Sequence, residues 1–487
     1  MPAPAQAQWE TLPPDHWAYD EVRWLQTLGY LHDLDPSQKP YTRREIALAL
    51  NNIEGPLSGM AGDRVVLLLD EFANEMGEPS ANWHLFAGGR INAGLESCYN
   101  AEGREAGFLV ANVGAGNKRM GIFTAIRADR DLSENPLYKG KIYSNFAGLS
   151  EQAYFMVVGE NSRWSLKLGR DHLYWGPGQD HLLLNYNRRG IDQINVQARW
   201  GWGRFTALIG QVDDFEDSTG SRTSRFLSGH RLEISPWPWL RMGLSETLLF
   251  TGDVRFGSMN PFVPYYGELV NETSEGNGLM GFDFVVYPAV GTEIFGELLL
   301  DDIQLEKNDS KDLEPNEWGW LIGGRWSGVD GLLGVGLTYS GVANRTYNAL
   351  EPKYRYQNYG LPLGSELGND ADRLRFDFSI WPQAGYHANL FWEVSRQGEG
   401  RVTAPFDTTY LAYTVEEGYD EPFPTGTVQK TMTVGLELNA WMHPNLQIEG
   451  WLGHDWTDNY LHEEGREENG LRGRVTAVIR FDHLLVY

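Results

Sequence analysis

The last residues of the chain alternate between apolar and polar positions with a period of two. Counting back from Tyr487 in steps of two, one face is apolar apart from His483: Leu485, Phe481, Ile479, Ala477 and Val475. The opposite face is mostly polar or charged: Asp482, Arg480, Thr476, Arg474 and Arg472, with Val478. Side chains alternate between the two faces of a strand, so this pattern predicts a strand with lipid on one side and water on the other.

The same period of two begins near Trp83, and tight turns separate the predicted strands in pairs. Gly, Pro, Asn and Asp, which favour such turns, cluster at eight places: 116–118, 160–162, 201–203, 235–239, 288–291, 328–331, 382–385 and 443–445. Eight turns predict eight hairpins. A first strand near Trp83–Leu95 and the closing strand bring the total to about 18, an even number as in single-chain bacterial barrels.

Long polar stretches alternate with the tight turns. We expect loops at about 97–106, 128–150, 171–190, 212–224, 250–275, 302–316, 341–371, 396–429 and 455–469. Short turns on one rim and long loops on the other are typical of outer-membrane barrels, with the turns in the periplasm. The pattern therefore predicts an all-β fold, a transmembrane antiparallel β-barrel over residues 79–487. A soluble propeller, the alternative, would need a repeat of roughly 40–50 residues, and the sequence has none.

Residues 13–78 have a helical period instead. Thr42 and Glu45 have the spacing of a capping box, and apolar residues follow at helical intervals: Ile46, Ala49, Leu50 and Ile53. We expect a small periplasmic helical segment that docks at the barrel rim. In residues 1–12, Ala5-Gln6-Ala7 has the small-x-small form of a cleavage site, so we interpret this stretch as an export-signal remnant or leader.

Composition narrows the function classes. The net charge of −26 argues against a nucleic-acid partner, because phosphates require a basic surface. The single Cys98 excludes an internal disulfide. The sequence contains no nucleophile elbow, phosphate loop or His-Glu-x-x-His motif, no calcium-loop pattern and no zinc-ligand spacing of its histidines, so we expect neither an enzyme nor a cofactor.

Several short motifs combine glycine, aromatic and charged residues. They are Gly169-Arg170-Asp171, Tyr174–Gly178 with Leu182–Leu184, Asn260-Pro261-Phe262 with Tyr265-Tyr266, and Gly296-Glu297 through Asp302. These motifs resemble the Wzi family of capsule-assembly outer-membrane proteins. The terminal aromatic resembles the C-terminal signature of bacterial outer-membrane barrels in general. Asp15–Gly29 and Tyr41–Glu45 resemble an S-layer-homology motif. The resemblance implies an 18-stranded barrel with a periplasmic helical element, a mouth narrowed by loops, and a lectin that holds capsular polysaccharide and is not an enzyme.

The 171–190 and 250–275 loops hold our candidate polysaccharide-binding residues, because they combine rings that stack on sugars with groups that bond hydroxyls. The candidates are Arg170, Asp171, Tyr174, Trp175, Arg188, Arg189, Asn260, Tyr265 and Tyr266. The structural alternative is that these Trp and Tyr residues only form the aromatic girdle of a barrel, or a folded plug turn.

Three functions remain open from the sequence. The first is a surface lectin for capsular or extracellular polysaccharide, a monomer in contact with outer-membrane lipid and lipopolysaccharide. The second is a passive sugar porin tethered by the helical segment, since about 18 strands leave room for an aqueous lumen. The third is a structural link to peptidoglycan through residues 13–78. Long loops packed into the mouth would favour the lectin, and an open lumen would favour the porin.

Overall fold

Eighteen long antiparallel strands form a closed barrel in the computed structural model, which describes residues 8–55, 57–98, 101–135, 138, 140–185, 189–254, 256–271, 275–443 and 445–481. The strands are β1 (His84–Cys98), β2 (Ala101–Gly116), β3 (Met120–Asp129), β4 (Phe146–Val158), β5 (Trp164–Asp171), β6 (Ile191–Trp200), β7 (Gly203–Gln211), β8 (Arg225–Trp237), β9 (Leu240–Thr251), β10 (Asn277–Ala289), β11 (Thr292–Asp302), β12 (Glu317–Gly328), β13 (Leu333–Val342), β14 (Ala371–Gln383), β15 (Tyr386–Gln397), β16 (Gln429–His443), β17 (Leu446–Asp458) and β18 (Glu468–Phe481). Each strand pairs with its sequence neighbours, and β18 closes on β1, with Ile479 opposite Ile91. The predicted fold and strand number are confirmed.

Every predicted tight turn joins consecutive strands, but one predicted loop is wrong. Residues 97–106 belong largely to β1 and β2, which continue to Cys98 and resume at Ala101. The charged residues that suggested a loop are paired across the strands instead: Arg104 bonds Glu96 at 3.0 Å, and Arg474 of β18 approaches the same carboxylate at 3.5 Å. Ion pairing lets a polar run remain in a strand.

The outer wall of the barrel is apolar. Alternate strand positions expose large hydrophobic side chains, among them Leu109, Val113, Ile122, Leu244, Ile322, Leu390, Leu438, Leu452 and Val475. Exposed tryptophans lie near the tight turns at 164, 200, 202, 237, 239 and 326. In β18, Val475 and Ile479 are exposed while Thr476, Val478 and Arg480 are buried, so the predicted parity is confirmed. Residues 482–487, including Tyr487, lie outside the described residues.

The N-terminal segment forms the helices α1 (Ala18–Thr27), α2 (Arg43–Asn51) and α3 (Gly59–Glu71). The Thr42–Glu45 capping box is present, with Thr42 Oγ1 accepting from the Glu45 N–H at 3.2 Å. The three helices share a core of buried hydrophobic side chains: Trp17, Val22, Leu25, Ile46, Leu50, Leu68 and Phe72. No helix in the described part of the chain is long and apolar enough to cross a bilayer.

This helical segment fills the end of the lumen that the tight turns surround. Gly291 N–H in the β10–β11 turn donates to Thr27 O at 2.8 Å, and Arg64 donates to Gly331 O in the β12–β13 turn at 3.0 Å. Inward-facing charges of the wall complete the attachment through ion pairs: Arg23–Glu293, Arg90–Asp15, Arg199–Glu45 and Arg204–Asp35. The interior of the barrel is therefore polar where it meets the segment.

Shorter elements lie in the loops on the opposite rim. They are the helices α4 (Arg130–Ser133), α5 (Phe256–Met259) and α6 (Tyr265–Asn271), and the short strand pairs Phe215–Glu216 with Arg222–Thr223, and Gln357–Asn358 with Leu361–Pro362. Inside the lumen, Gln38–Lys39 of the N-terminal segment pairs with Tyr174–Trp175. A further short strand, Ile142–Tyr143, pairs with the start of β4. Two of the long loops include the candidate residues. One of these loops folds into the lumen, and the other lies on the outer wall.

Candidate functional site: the loops at the long-loop rim

The 172–185 segment folds into the lumen rather than out of the mouth. Trp175 is 1% exposed, its backbone N–H donates to Leu184 O at 2.9 Å, and Tyr174–Trp175 pairs with Gln38–Lys39 of the N-terminal segment. The next residue, Gly176, has φ +138°, and a Cβ there would lie 2.4 Å from a carboxylate oxygen of Glu297. Only glycine suits that position, so the Trp-Gly-Pro-Gly sequence is a buried turn.

One strand carboxylate holds this segment in place. Glu297 of β11 points into the lumen and accepts from Gly178 N–H at 2.9 Å and Leu182 N–H at 2.8 Å. It is buried, and the His181 ring lies 3.4 Å away. A carboxylate that accepts two backbone N–H groups is a strong anchor, because charge-assisted bonds are about twice as strong as neutral ones.

A second layer lies above the 172–185 segment. In the 343–370 loop, the Tyr356 hydroxyl donates to Leu183 O at 3.0 Å, and the Tyr347 hydroxyl donates to Leu182 O. Asp180 accepts from the Ser365 hydroxyl at 2.6 Å and from Arg373 at 3.1 Å. Because these polar groups bond to one another across the two loops, the loops close over the lumen as one packed body.

The 343–370 loop is tied in turn to the 398–428 loop by a buried arginine. Arg345 is 1% exposed and bonds Glu421 at 2.8 Å and Asp407 at 2.9 Å. Burial lowers the pKa of this guanidinium, but Glu421 and Asp407 outweigh it, so the pKa is raised and the charge is fixed. Asp370 adds a contact by accepting from the Thr425 N–H at 2.8 Å.

The 256–271 segment lies on the outside of the barrel. Glu246 of β9 points outward and accepts from Tyr265 N–H at 2.8 Å and Tyr266 N–H at 2.6 Å, at the start of α6. Tyr265 is 1% exposed, packed with Leu248 and Phe250 on the outward face of the wall. Further along the wall, the ring of Phe262 stacks on Phe205 with centroids 5.6 Å apart.

The structure separates the nine predicted residues. Asp171 is fully buried, accepting from Gln152 at 2.9 Å and Thr11 at 3.0 Å, and Tyr174 and Trp175 are buried beside it. Arg170 is on the outward face in an ion pair with Asp192. One loop completes the plug and the other covers the wall, so the side chains of the two loops do not meet at the mouth. Arg188 lies outside the described residues.

Besides Arg170, three of the predicted residues keep some exposure. Asn260 is exposed, and its Oδ1 accepts from Phe262 N–H at 3.1 Å; Tyr266 is partly exposed in α6. Arg189 lies at the long-loop rim with its guanidinium carbon 3.8 Å from the Tyr359 ring centroid and 5.5 Å from that of Tyr138. Tyr359 is 41% exposed, so Arg189 and these rings form an accessible cationic and aromatic surface, which we call the Arg189–Tyr359 surface.

The sequence did not indicate the residues that organise this rim, which are Glu246, Glu297 and Arg345. Glu297 lies in the Gly296–Asp302 motif but was not among the candidate binding residues, and Glu246 and Arg345 are lone charges without a motif of their own. The one available signal was an acidic residue interrupting an otherwise apolar strand, as Glu246 does before Thr247–Phe250. Among the described residues, no group of three or more His, Cys, Asp or Glu side chains could hold a metal ion.

The closed 18-stranded wall, the apolar outer face and the filled lumen define an outer-membrane β-barrel that is occupied by its own chain. Residues 150–470 match the family described as "Capsule assembly protein Wzi". That match covers 321 of the 487 residues, and the chain belongs to this family. A search of curated protein sequences found no match.

The fold is shared with a solved structure. The carbohydrate-binding β-barrel Wzi of Escherichia coli, involved in group 1 capsule assembly, aligns with a TM-score of 0.63 at 16% identity, covering 96% of this chain and 99% of that one. OprD of Pseudomonas aeruginosa aligns with a TM-score of 0.49 at 9% identity, covering 84% and 97%. OccAB4 of Acinetobacter baumannii aligns with a TM-score of 0.47 at 7% identity, covering 82% and 98%.

Proposed function

We propose that this chain is a lectin-like outer-membrane protein that attaches or assembles capsular or extracellular polysaccharide at the cell surface, without enzymatic activity. The observation that carries the proposal is the family match over residues 150–470. The carbohydrate binding of the Escherichia coli barrel supports it. The inward packing of the long loops supports a closed mouth rather than the lumen of a passive porin.

The orientation is part of the proposal. The tight turns and the helical segment, residues 13–78, face the periplasm, and the long loops of the barrel, residues 79–487, face the exterior. In this orientation the apolar outer wall contacts lipid and the rim contacts lipopolysaccharide. The protein acts as a monomer, and contact of the helical segment with peptidoglycan is a secondary part of the proposal.

The polysaccharide would bind at the Arg189–Tyr359 surface. Aromatic faces stack on the apolar faces of sugar rings, and a guanidinium bonds carboxylates or hydroxyls in two directions. Arg189 and Tyr359 offer both within a few ångströms. Asp171, Tyr174 and Trp175 are buried, so we propose this surface in their place as the one that a polysaccharide outside the barrel contacts.

The test is retention of surface glycan. Deleting the gene should release polysaccharide into the medium while total synthesis stays constant, and the intact gene should restore retention. Complementation with Arg189→Ala plus Tyr359→Ala should restore little, whereas Arg222→Ala, an exposed arginine in the neighbouring 212–224 loop, should restore it fully. Unchanged retention in the deletion strain would contradict the proposal.

Planar-bilayer conductance tests the closed lumen separately. The purified protein should give no steady open current, because the helical segment and the 172–185 segment occupy the lumen in series. A large, constant current from the intact protein would favour the porin instead.

A further inference from the structure

Side chains that face the lumen are buried in one part of the barrel and exposed to water in another. Beside the 172–185 segment, inward side chains such as Leu279 of β10 and Glu297 of β11 are buried. Farther around the barrel, the side chains of Glu437 in β16 and Arg472 in β18 also point inward, yet they are 40% and 44% exposed. An inward side chain contacts water only where the lumen is open, so the loops leave space beside β16 to β18.

The strand β18 shows toward which rim this space opens. Its inward side chains become more exposed toward the long-loop rim: Thr476 is buried, Arg474 is 25% exposed, and Arg472 is 44% exposed. Toward the tight-turn rim, the inward Trp441 of β16 packs on Trp17 of the helical segment, with ring centroids 4.9 Å apart. The space is therefore a blind vestibule, closed below by the helical segment and open toward the long loops.

Trp451 of β17 lies in the wall of this vestibule. Its directly opposite partners on the neighbouring strands are Glu437 and Arg474, so these three inward side chains are adjacent. Its ring lies beside Gly453, where a Cβ would be 3.2 Å from Trp451 Cζ3, and the Arg472 guanidinium carbon is 5.1 Å from the ring centroid. Trp451 is partly exposed, and its indole N–H makes no hydrogen bond with any residue that the structure describes. We call the space that these side chains line the Trp451 vestibule.

The charges around the Trp451 ring are balanced, but they keep bonding capacity. Each is paired with a counter-ion of the protein: Arg472 with Asp455, Arg474 with Asp131, and Glu437 with Arg375. Arg472 bonds through Nε and Nη2 and Arg474 through Nη1, which leaves N–H groups of both guanidiniums for a ligand. Balanced charge favours a ligand with hydroxyl groups over a free ion, because hydroxyls bond both N–H donors and carboxylate acceptors.

We infer that the Trp451 vestibule binds a terminal or branch sugar residue of the polysaccharide. The apolar face of the sugar packs against the exposed surface of Trp451, and its hydroxyl groups bond the neighbouring arginines and Glu437. A blind vestibule accepts the end of a chain or a branch, because the middle of a chain would have to leave through the helical segment. The inference deepens the proposed function and rests on it for the identity of the ligand as a polysaccharide.

The loop that precedes β4 links the vestibule to the Arg189–Tyr359 surface. Asp131 of this loop bonds Arg474 of the vestibule at 2.8 Å. Tyr138 of the same loop has its ring centroid 5.5 Å from the Arg189 guanidinium carbon. One polysaccharide can therefore contact both sites, with a chain end in the vestibule and a following part of the chain on the outer surface.

Calorimetry on the full-length protein in detergent micelles tests the inference. The probe is an oligosaccharide mixture obtained by partial hydrolysis of the organism's own surface polysaccharide. Trp451→Ala should weaken its binding about tenfold, because an aromatic contact is lost, and Trp451→Phe should retain most of the affinity. Trp456→Ala removes an exposed tryptophan from the outward face of the same strand and should change nothing. Heat-modifiable migration on gels confirms that each variant barrel is folded.

The single cysteine gives a second measurement that needs no substitution. Cys98 of β1 lies directly opposite Arg472 and is partly exposed, at the outer edge of the vestibule. A hydrophilic maleimide should label it in the unaltered protein, and saturating oligosaccharide should slow the labelling several-fold. In Trp451→Ala the same oligosaccharide concentration should protect Cys98 much less.

Two results would overturn the inference: equal affinity of Trp451→Ala and the unaltered protein, or unchanged labelling of Cys98 at saturating oligosaccharide. Either result leaves the proposed function intact, provided that the unaltered protein binds the oligosaccharide. A protein that does not bind it, together with a deletion strain that retains its surface glycan, would contradict the proposed function itself.

Discussion

The 172–185 and 256–271 segments are anchored in the same way and have opposite locations. Both contain glycine, proline, tyrosine and asparagine, and both follow a strand at the long-loop rim. In each, one strand carboxylate accepts two backbone N–H groups: Glu297 for Gly178 and Leu182, and Glu246 for Tyr265 and Tyr266. The same anchoring chemistry places one segment in the lumen and the other on the outer wall.

Strand parity accounts for the difference. Glu297 shares its face with Glu293, Phe295 and Leu299, which point into the lumen. Glu246 shares its face with Leu244, which is exposed on the outer wall. Successive side chains of a strand point to opposite faces, so a shift of one position would move the anchor through the wall.

The two anchored segments differ in what they leave exposed. The lumenal segment is buried from His172 to Asn185 apart from Gln179. The outer segment exposes Phe256 and Phe262, at 92% and 82%, to the surroundings of the barrel. A polar loop can therefore be accepted against a membrane-facing wall when its own apolar side chains take the outward positions.

Removing the lumenal anchor should have the largest effect. Glu297→Ala leaves two buried N–H groups without an acceptor, and we expect a loss of about 3 kcal/mol in the free energy of unfolding. Urea unfolding in micelles, followed by tryptophan fluorescence, measures it. Glu306→Ala, an exposed glutamate in the 303–316 loop, is the control and should have no effect. Equal midpoints for both variants would contradict the anchoring role.

The second largest effect should come from replacing a glycine by alanine, which should destabilise the lumenal segment and leave the outer segment unchanged. Gly176→Ala forces a Cβ against Glu297 at φ +138°, and we expect a loss of about 2 kcal/mol. Gly257→Ala meets no atom within 4 Å and should be neutral. Thermal melts of the two variants compare them directly, and a destabilised Gly257→Ala would show that the outer segment is packed more tightly than its contacts indicate.

Loosening the outer anchor should have a local effect only. Glu246→Ala should detach the start of α6 at a cost of about 1–2 kcal/mol, while the barrel keeps its stability. Hydrogen exchange should accelerate at the amides of Tyr265 and Tyr266 and stay slow at Leu182, which is the internal control. Faster exchange at Leu182 would mean that the two segments are coupled through the wall.

Acid should have the smallest effect, through Glu45, one of the carboxylates that tie the helical segment to the wall. Burial raises the pKa of Glu45, but Arg199, Arg204 and the Thr42 N–H outweigh it and lower the pKa to about 2. A lowered pKa stabilises the docked segment above the ordinary value of 4.5, and this stabilisation is lost as the pH falls toward 2. Protease resistance of residues 8–77 should be unchanged from pH 7 to pH 5 and decline below about pH 4. A decline already at pH 6 would exclude Glu45 as the cause.

The sequence predicted the elements whose signals are local. Turn residues identified all eight tight turns, the period of two gave the parity of β18, and the Thr42–Glu45 spacing gave the capping box. The 97–106 loop was predicted wrongly, because Glu96 and Arg104 form a cross-strand pair that only adjacent strands reveal. The candidate binding residues were chosen for their chemistry, and the structure shows that the Asp171 carboxylate bonds Gln152 and Thr11 and that the Trp175 ring packs in the hydrophobic core of the lumen.

The sequence by itself determined the barrel, its number of strands and which side chains face outward, because alternation and turn chemistry depend on neighbours in the chain. Only the tertiary structure decided where the long loops go and what fills the lumen. Those outcomes depend on contacts between distant residues, such as Glu297 with Leu182, Arg345 with Glu421, and Arg23 with Glu293. In each contact a single charged side chain bonds a partner that is distant in the sequence, and no local sequence pattern predicts such a contact.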